Sequence, residues 1–472
     1  ARRLRLPRCH CFRRLRRCGI TPRMQPPRTI LETADQFRAG HLSPTQLLRA
    51  CLDAIDRFDG DVRAWTLVDR VGAQQAAEAA ARELAAGQDR GPLHGIPIGV
   101  KDIVDVAGMP TRAGSPLTDA RPATVDATVI ARLRTAGAII LGKTVTTEFA
   151  CFDPSPTRNP WNLAHTPGGS SSGSAAALAL GMCIGAIGSQ TGGSITRPAS
   201  YCGISGAKPT FGRTSRAGVV PVSFHLDHVG AMARTAVDCG LMLSAMAGAD
   251  PRDPHAAPWP DVAFDGSVAN SPPTLGVVWP YFFDEAETEV AEPTRNAIHS
   301  LVERGARLVE LPLPDGWDAV HAMHRRIYFA EAAELHARQY GAPRDGYGPK
   351  MAELLAEGFA VSMADYQEAL RHQVGFSNAV NQLLAGVDAL VVPSTPTAAP
   401  ASLDTTGDPR FNAPWSHAGT PTVSVPCGLT AAGMPLGLQL VGPARSDARL
   451  LATAVWCEQV LEFSAVPKLL AD

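Results

Sequence analysis

Short apolar runs of β type recur at both ends of the chain, at 96–104, 138–141 and 182–188 and again at 389–393, 422–426 and 436–441. Helical stretches separate them. Ser43 and Pro44 read as N-cap and first residue of a helix reaching about residue 58. Further helices are expected at 71–86, 126–136, 175–180 and 290–304, and a helical region follows the 306–313 strand to about 384. Strands alternating with helices bury their apolar faces against one another, which is an α/β layered architecture. The runs at the two ends read as parts of one sheet, so the 472 residues are expected to form one large domain. The proline-bearing stretch 256–273 is the best linker candidate.

Apolar residues make up 45% and charged residues 19%, a globular and charge-poor composition. No apolar stretch reaches the roughly 18 residues that a membrane-spanning helix needs. The net charge of -2 hides an asymmetry: ten arginines and no acid lie within residues 1–31, leaving 33 basic against 45 acidic residues elsewhere. Residues 1–28 are therefore expected to be a basic extension, disordered or non-native, with Met24 as the natural start. They lack the continuous apolar stretch of a secretory signal. The acidic remainder gives no reason to expect nucleic acid as a partner. Its seven cysteines are scattered, with no C-x-x-C pair, which argues against a disulfide framework and a structural zinc site. A reducing cytoplasm is the expected compartment.

Two glycine-serine segments stand between short core elements: Thr166-Pro-Gly-Gly-Ser-Ser-Ser-Gly-Ser174 and Gly188-Ser-Gln-Thr-Gly-Gly-Ser-Ile-Thr-Arg-Pro198. Flexible linkers rarely sit there. Consecutive small residues let backbone N–H groups converge on an anion. Lysine is scarce, with five in the chain, and Lys101 ends the run Gly95-Ile-Pro-Ile-Gly-Val100. A lysine at the end of a buried strand is desolvated, which favours its neutral form. A neutral lysine can act as a general base, as an arginine cannot. The other reading is an ion pair with Asp102 or Asp105.

Taken together these segments resemble the amidase signature family. The resemblance rests on Gly-Ile-Pro-Ile-Gly-Val-Lys-Asp at 95–102, Pro-Gly-Gly-Ser-Ser-Ser-Gly at 167–173 and Thr-Gly-Gly-Ser at 191–194. Cys202-Gly-Ile-Ser-Gly-Ala-Lys-Pro209 and Pro435-Leu-Gly-Leu-Gln-Leu-Val-Gly442 extend it over about residues 29–465. It implies a single catalytic domain over 29–472, with a central mixed β-sheet covered by helices on both faces. It also implies Ser194 as nucleophile, Ser170 as bridging serine after a cis peptide at Gly169–Ser170, and Lys101 as base. The backbone N–H groups of Thr191, Gly192, Gly193 and Ser194 would form the oxyanion hole, and no cofactor or metal is implied. The expected activity is an amidohydrolase on linear carboxamides, with aryl amides, carbamates and esters served by the same acyl-enzyme chemistry. A homodimer is the expected assembly. The chain departs from the family at Gln190, where many members have Asp, and at Thr196, where they have Arg; here Arg197 follows one position later.

Two other functions compete. One is the glutaminase subunit of a tRNA-dependent amidotransferase, which the family includes. The other is an α/β-hydrolase-type esterase with Ser171 as nucleophile, because Gly169-Ser-Ser-Ser-Gly173 matches G-x-S-x-G. That elbow needs a strand directly before it, and 159–167 does not read as one. His321 and His324 share a helix face but lack a third metal ligand, so they are expected to be solvated surface histidines. The aromatic groups Trp279, Tyr281, Phe282 and Phe283, and Tyr328 with Phe329, read as core packing or as a pocket wall for an apolar or aryl acyl group.

Overall fold

The computed structural model describes residues 29–470 except 257, 259–263, 265, 270, 343 and 344. The basic extension 1–28 and much of the stretch 256–273 lie outside the described residues. Eleven strands are described: β1 (Trp65–Val68), β2 (Pro97–Lys101), β3 (Ile139–Thr144), β4 (Gly185–Gln190), β5 (Ser205–Lys208), β6 (His228–Ala233), β7 (Thr274–Val277), β8 (Arg307–Glu310), β9 (Ala389–Pro393), β10 (Thr422–Leu429) and β11 (Pro435–Val441). They form one sheet in the order β1-β3-β2-β4-β6-β5-β10-β11-β9-β7-β8. β2 runs parallel to β3 and β4, and β7 parallel to β8 and β9, while β4, β5, β6, β10 and β11 pair antiparallel to one another. The sheet is mixed and the domain is single. The segment after the 256–273 stretch enters this same sheet as β7, so that stretch does not separate two domains.

All residues of β2, β3, β4, β5, β6, β9 and β11 are buried. Successive strand residues point to opposite faces, so full burial means that both faces are covered. The first covering helices follow their sequence signals. Ser43 caps the helix Pro44–Val62 reciprocally: its hydroxyl accepts from Gln46 N at 3.2 Å while Gln46 Oε1 accepts from Ser43 N at 2.9 Å. The helix stops where Arg63 turns left-handed at φ 57°. Helix Ser172–Ala179 is built of Ser, Gly, Ala and Leu and is buried throughout. Its small side chains let it lie directly on the sheet. A Cβ at Gly173 would fall 2.2 Å from Ala64 O and 2.4 Å from Val145 N. Among the described residues no helix is long and apolar enough to cross a membrane.

Candidate active site

The parallel pairing of β2 with β4 brings their C-terminal ends side by side, with Val100 opposite Ile187. Lys101 closes β2, and Ser189 and Gln190 close β4. Ser170 sits just before helix Ser172–Ala179, and the peptide Gly169–Ser170 is cis. Lys101 Nζ is in hydrogen-bond contact with Ser170 Oγ at 2.7 Å, Ser189 Oγ at 2.7 Å and Ser189 O at 3.5 Å. The amine is fully buried, and that burial lowers its pKa from 10.5 to about 7. Neither neighbouring aspartate takes it. Asp102 instead pairs with Lys143 at 2.8 Å.

Exposure separates the three side chains: Lys101 is 0% exposed, Ser170 2% and Ser194 9%. Ser194 is thus the member most open to an incoming molecule. None of the N–H groups of Thr191, Gly192, Gly193 and Ser194 donates to an acceptor among the described residues. The next two amides are occupied. Gln190 Oε1 accepts from Ile195 N at 2.8 Å, Thr196 N at 3.0 Å and Thr196 Oγ1 at 3.2 Å. Gln190 Nε2 donates to Ser416 Oγ at 3.2 Å, and Ser416 Oγ donates to Gly192 O at 2.7 Å. One neutral amide thereby fixes both ends of the turn. A carboxylate here would lack the donor that Ser416 receives.

Other supports converge on the same turn. Thr191 Oγ1 donates to Asp227 Oδ1 at 2.7 Å, and Asp227 Oδ2 accepts from Val222 N and Ser223 N at 2.7 and 2.9 Å. A Cβ at Gly193 would lie 2.6 Å from Asn412 Oδ1, so glycine is needed there for close approach. Arg197 does not pair with Gln190. It donates to Gly169 O at 2.7 Å, Thr406 Oγ1 at 3.1 Å and Gly407 O at 2.9 Å, tying the segment of Ser170 to the 406–407 loop. Ser189, Asp227 and Ser416 carried no motif signal of their own. Ser189 lay within the second glycine-serine segment, but its contact with Lys101 spans 88 positions.

Ser171 is apart from this arrangement. Its hydroxyl is buried against the backbone of Ser189, at 3.3 and 3.4 Å, and no strand runs into it. It therefore lacks the geometry of a nucleophile elbow. His321 and His324 are not solvated surface histidines: His324 is buried against the helix's aromatic neighbours, and His321 Nε2 is bonded to Tyr281 Oη at 2.7 Å. No group of three or more His, Cys, Asp or Glu that could hold a metal occurs among the described residues. The aromatic groups divide. Phe282 is fully buried between Trp317, Phe411 and Trp415, with ring centroids 5.1 to 5.9 Å away. Tyr328 packs on Phe152 at 5.6 Å and beside His324 at 6.1 Å.

The family model Amidase matches residues 46–451. A glutamyl-tRNA(Gln) amidotransferase subunit of Roseiflexus castenholzii is 37% identical over 90% of this chain and 94% of its own length. A "Putative amidase AmiD" of Mycobacterium bovis is 38% identical over 90% of this chain and 92% of its own. Among solved structures, the peptide amidase of Stenotrophomonas maltophilia superposes with a TM-score of 0.83 at 30% identity, covering 94% of this chain and 99% of that one.

Proposed function

The chain belongs to the amidase signature family, and from that premise we propose that it hydrolyses the C–N bond of a linear carboxamide, aryl amide or carbamate through an acyl-enzyme on Ser194. Neutral Lys101 takes a proton from Ser170 as Ser170 takes one from Ser194. Ser194 Oγ bonds to the carbonyl carbon, and the C=O electron pair moves onto oxygen. The N–H groups of Thr191, Gly192, Gly193 and Ser194 stabilise that oxyanion, at about 3–4 kcal/mol for a key donor. On collapse the C–N bond breaks, and the proton returns through Ser170 to the departing nitrogen. Water then attacks the ester by the same relay, releasing the acid and restoring Ser194.

The observation that carries this reading is the buried Lys101 amine on the Ser170 hydroxyl at 2.7 Å. The Ser189 carbonyl can only accept, so it takes one N–H of a neutral amine, Ser189 Oγ takes the other, and the lone pair is left for Ser170. The relative from Roseiflexus castenholzii, named for an amidotransferase, supports a second reading: a glutaminase-type subunit working in a complex. Residues 29–472 act as one catalytic unit in this proposal. The compartment is the cytoplasm, in keeping with the seven free cysteines among the described residues, and the assembly a homodimer.

The test is a panel of p-nitroanilides, carbamates and free amides, glutamine included, assayed with the isolated chain. Ser194→Ala should abolish turnover and Ser171→Ala should retain it. For wild type, kcat/KM should rise with pH through about 7 as Lys101 loses its proton. Near-normal activity of Ser194→Ala removes the assignment, and activity on glutamine alone favours the glutaminase reading.

A further inference from the structure

Helix Trp317–Tyr340 turns one stripe toward the glycine turn, with Trp317, His321, His324 and Tyr328 at helical spacing. A Cβ at Gly192 would lie 3.8 Å from His324 Nε2, so the imidazole stands directly beside the proposed oxyanion loop. Its other nitrogen, Nδ1, is buried without a hydrogen-bond partner among the described residues. The hydrogen-bonding capacity that the ring turns toward the loop therefore lies at Nε2. The ring cannot escape by charging: burial, and then His321, lower its pKa from 6.5 to about 3.

The ring is also held from behind. His417 is fully buried, its ring centroid 5.9 Å from that of His324. His417 Nε2 meets His372 Nδ1 at 3.1 Å, and His372 Nε2 donates to Gly316 O at 2.9 Å. Tyr328 flanks the other side at 6.1 Å. A neutral, oriented imidazole at the edge of an otherwise aromatic wall offers one hydrogen bond and no charge.

We propose that His324 is the specificity-determining residue of this site, its Nε2 making a hydrogen bond to a polar group of the substrate close to the scissile carbonyl. The substrate class is then an amide bearing a second hydrogen-bonding group, such as a hydroxyl, two to four atoms from the reacting carbon, and not a plain alkyl amide. This rests on the amidase reading above. A site built around one buried polar group discriminates against a ligand that leaves it unpaired.

The test compares isosteric pairs. Lactoyl p-nitroanilide against isobutyryl p-nitroanilide varies the acyl side, and N-(2-hydroxyethyl) against N-propyl isobutyramide varies the amine side. Amides that turn over slowly are measured as protectants of Ser194 against a fluorophosphonate. Wild type should prefer the hydroxylated member of at least one pair about tenfold, mainly in KM or in the protection constant. His324→Phe should erase that preference, and His324→Asn, which keeps a donor and an acceptor, should restore part of it. No preference in wild type, or a preference that survives in His324→Phe, overturns the role of His324 while the hydrolase stands. A wild type that neither hydrolyses any of the four amides nor reacts with the fluorophosphonate overturns the amidase reading itself, and this inference with it.

Discussion

Gln190 shows how much of this site depends on one neutral side chain. Its carbonyl oxygen gathers three donors from Ile195 and Thr196, and its NH2 reaches Ser416, which holds the Gly192 carbonyl. Those contacts leave the four preceding amides without an acceptor among the described residues. Gln190→Ala should therefore leave the fold standing but let the turn wander. A misplacement of about 1 Å at reacting groups costs about 100-fold in rate. The expected result is a fall of that size in kcat with a smaller change in KM, read by steady-state kinetics. A kcat within twofold of wild type would mean that Asp227 and Asn412 hold the turn without it. Gln190 was visible in the sequence as a departure from the family pattern. Its partner was not, because Ser416 lies 226 positions away. Separation in sequence also hid Asp227, 36 positions from Thr191, and the approach of His324 to Gly192.

At the scale of elements, the site is a junction of two strand ends and one helix. Helix Ser172–Ala179 presses on β2, β3 and β4, and this contact aims the segment that carries Ser170. Gly173 sets its depth. Gly173→Ala would drive a methyl into Ala64 O and Val145 N, both backbone atoms that cannot swing away. Overpacking of this kind destabilises by about 1–3 kcal/mol. Urea unfolding should show that loss, and activity should fall with it as Ser170 is displaced from Lys101. Unchanged stability would mean that the helix has room to lift. Strands rich in Val, Leu and Ile, such as β9 and β11, were legible from their apolar runs alone. β5 and β6 were not, since Ser-Gly-Ala-Lys and His-Val-Gly-Ala-Met-Ala carry little β-propensity. They are strands because β10 and β4 flank them, through pairings such as Thr422 with Lys208 that no local pattern encodes.

The whole molecule buries an unusual set of titratable groups in neutral form, and its stability should record them. Burial lowers His324 to about 3, His336 to about 4 and His417 to about 2, and holds His228 well below its ordinary value. Unfolded histidines titrate near 6.5, so below that pH the unfolded chain binds protons that the native chain refuses. Stability then falls as pH falls, by about 1.4 kcal/mol per pH unit for each net proton. Buried carboxyls with raised values run the other way, chiefly Asp238 at about 6 and Glu458 at about 7, which gain protons in the native state first. Four histidines outweigh these two. Above pH 7 two sets oppose each other. Lys101 and Lys208 are lowered by burial to about 7 while unfolded lysines titrate near 10.4, so native lysines shed protons that unfolded ones keep. The thiols of Cys51, Cys151, Cys183, Cys202, Cys239, Cys427 and Cys457 are raised by burial, so near pH 9 they keep protons that unfolded cysteines, titrating near 8.5, have shed. Thermal unfolding should therefore give a Tm that climbs from pH 5 through 7 and falls again toward pH 9. The Lys208→Met variant, which removes one of the two buried amines, should lower the top of that curve near pH 8 and leave the climb from pH 5 to 7 in place. A Tm that is highest at pH 5 would mean that the imidazoles are reached by water in the native fold, His324 among them.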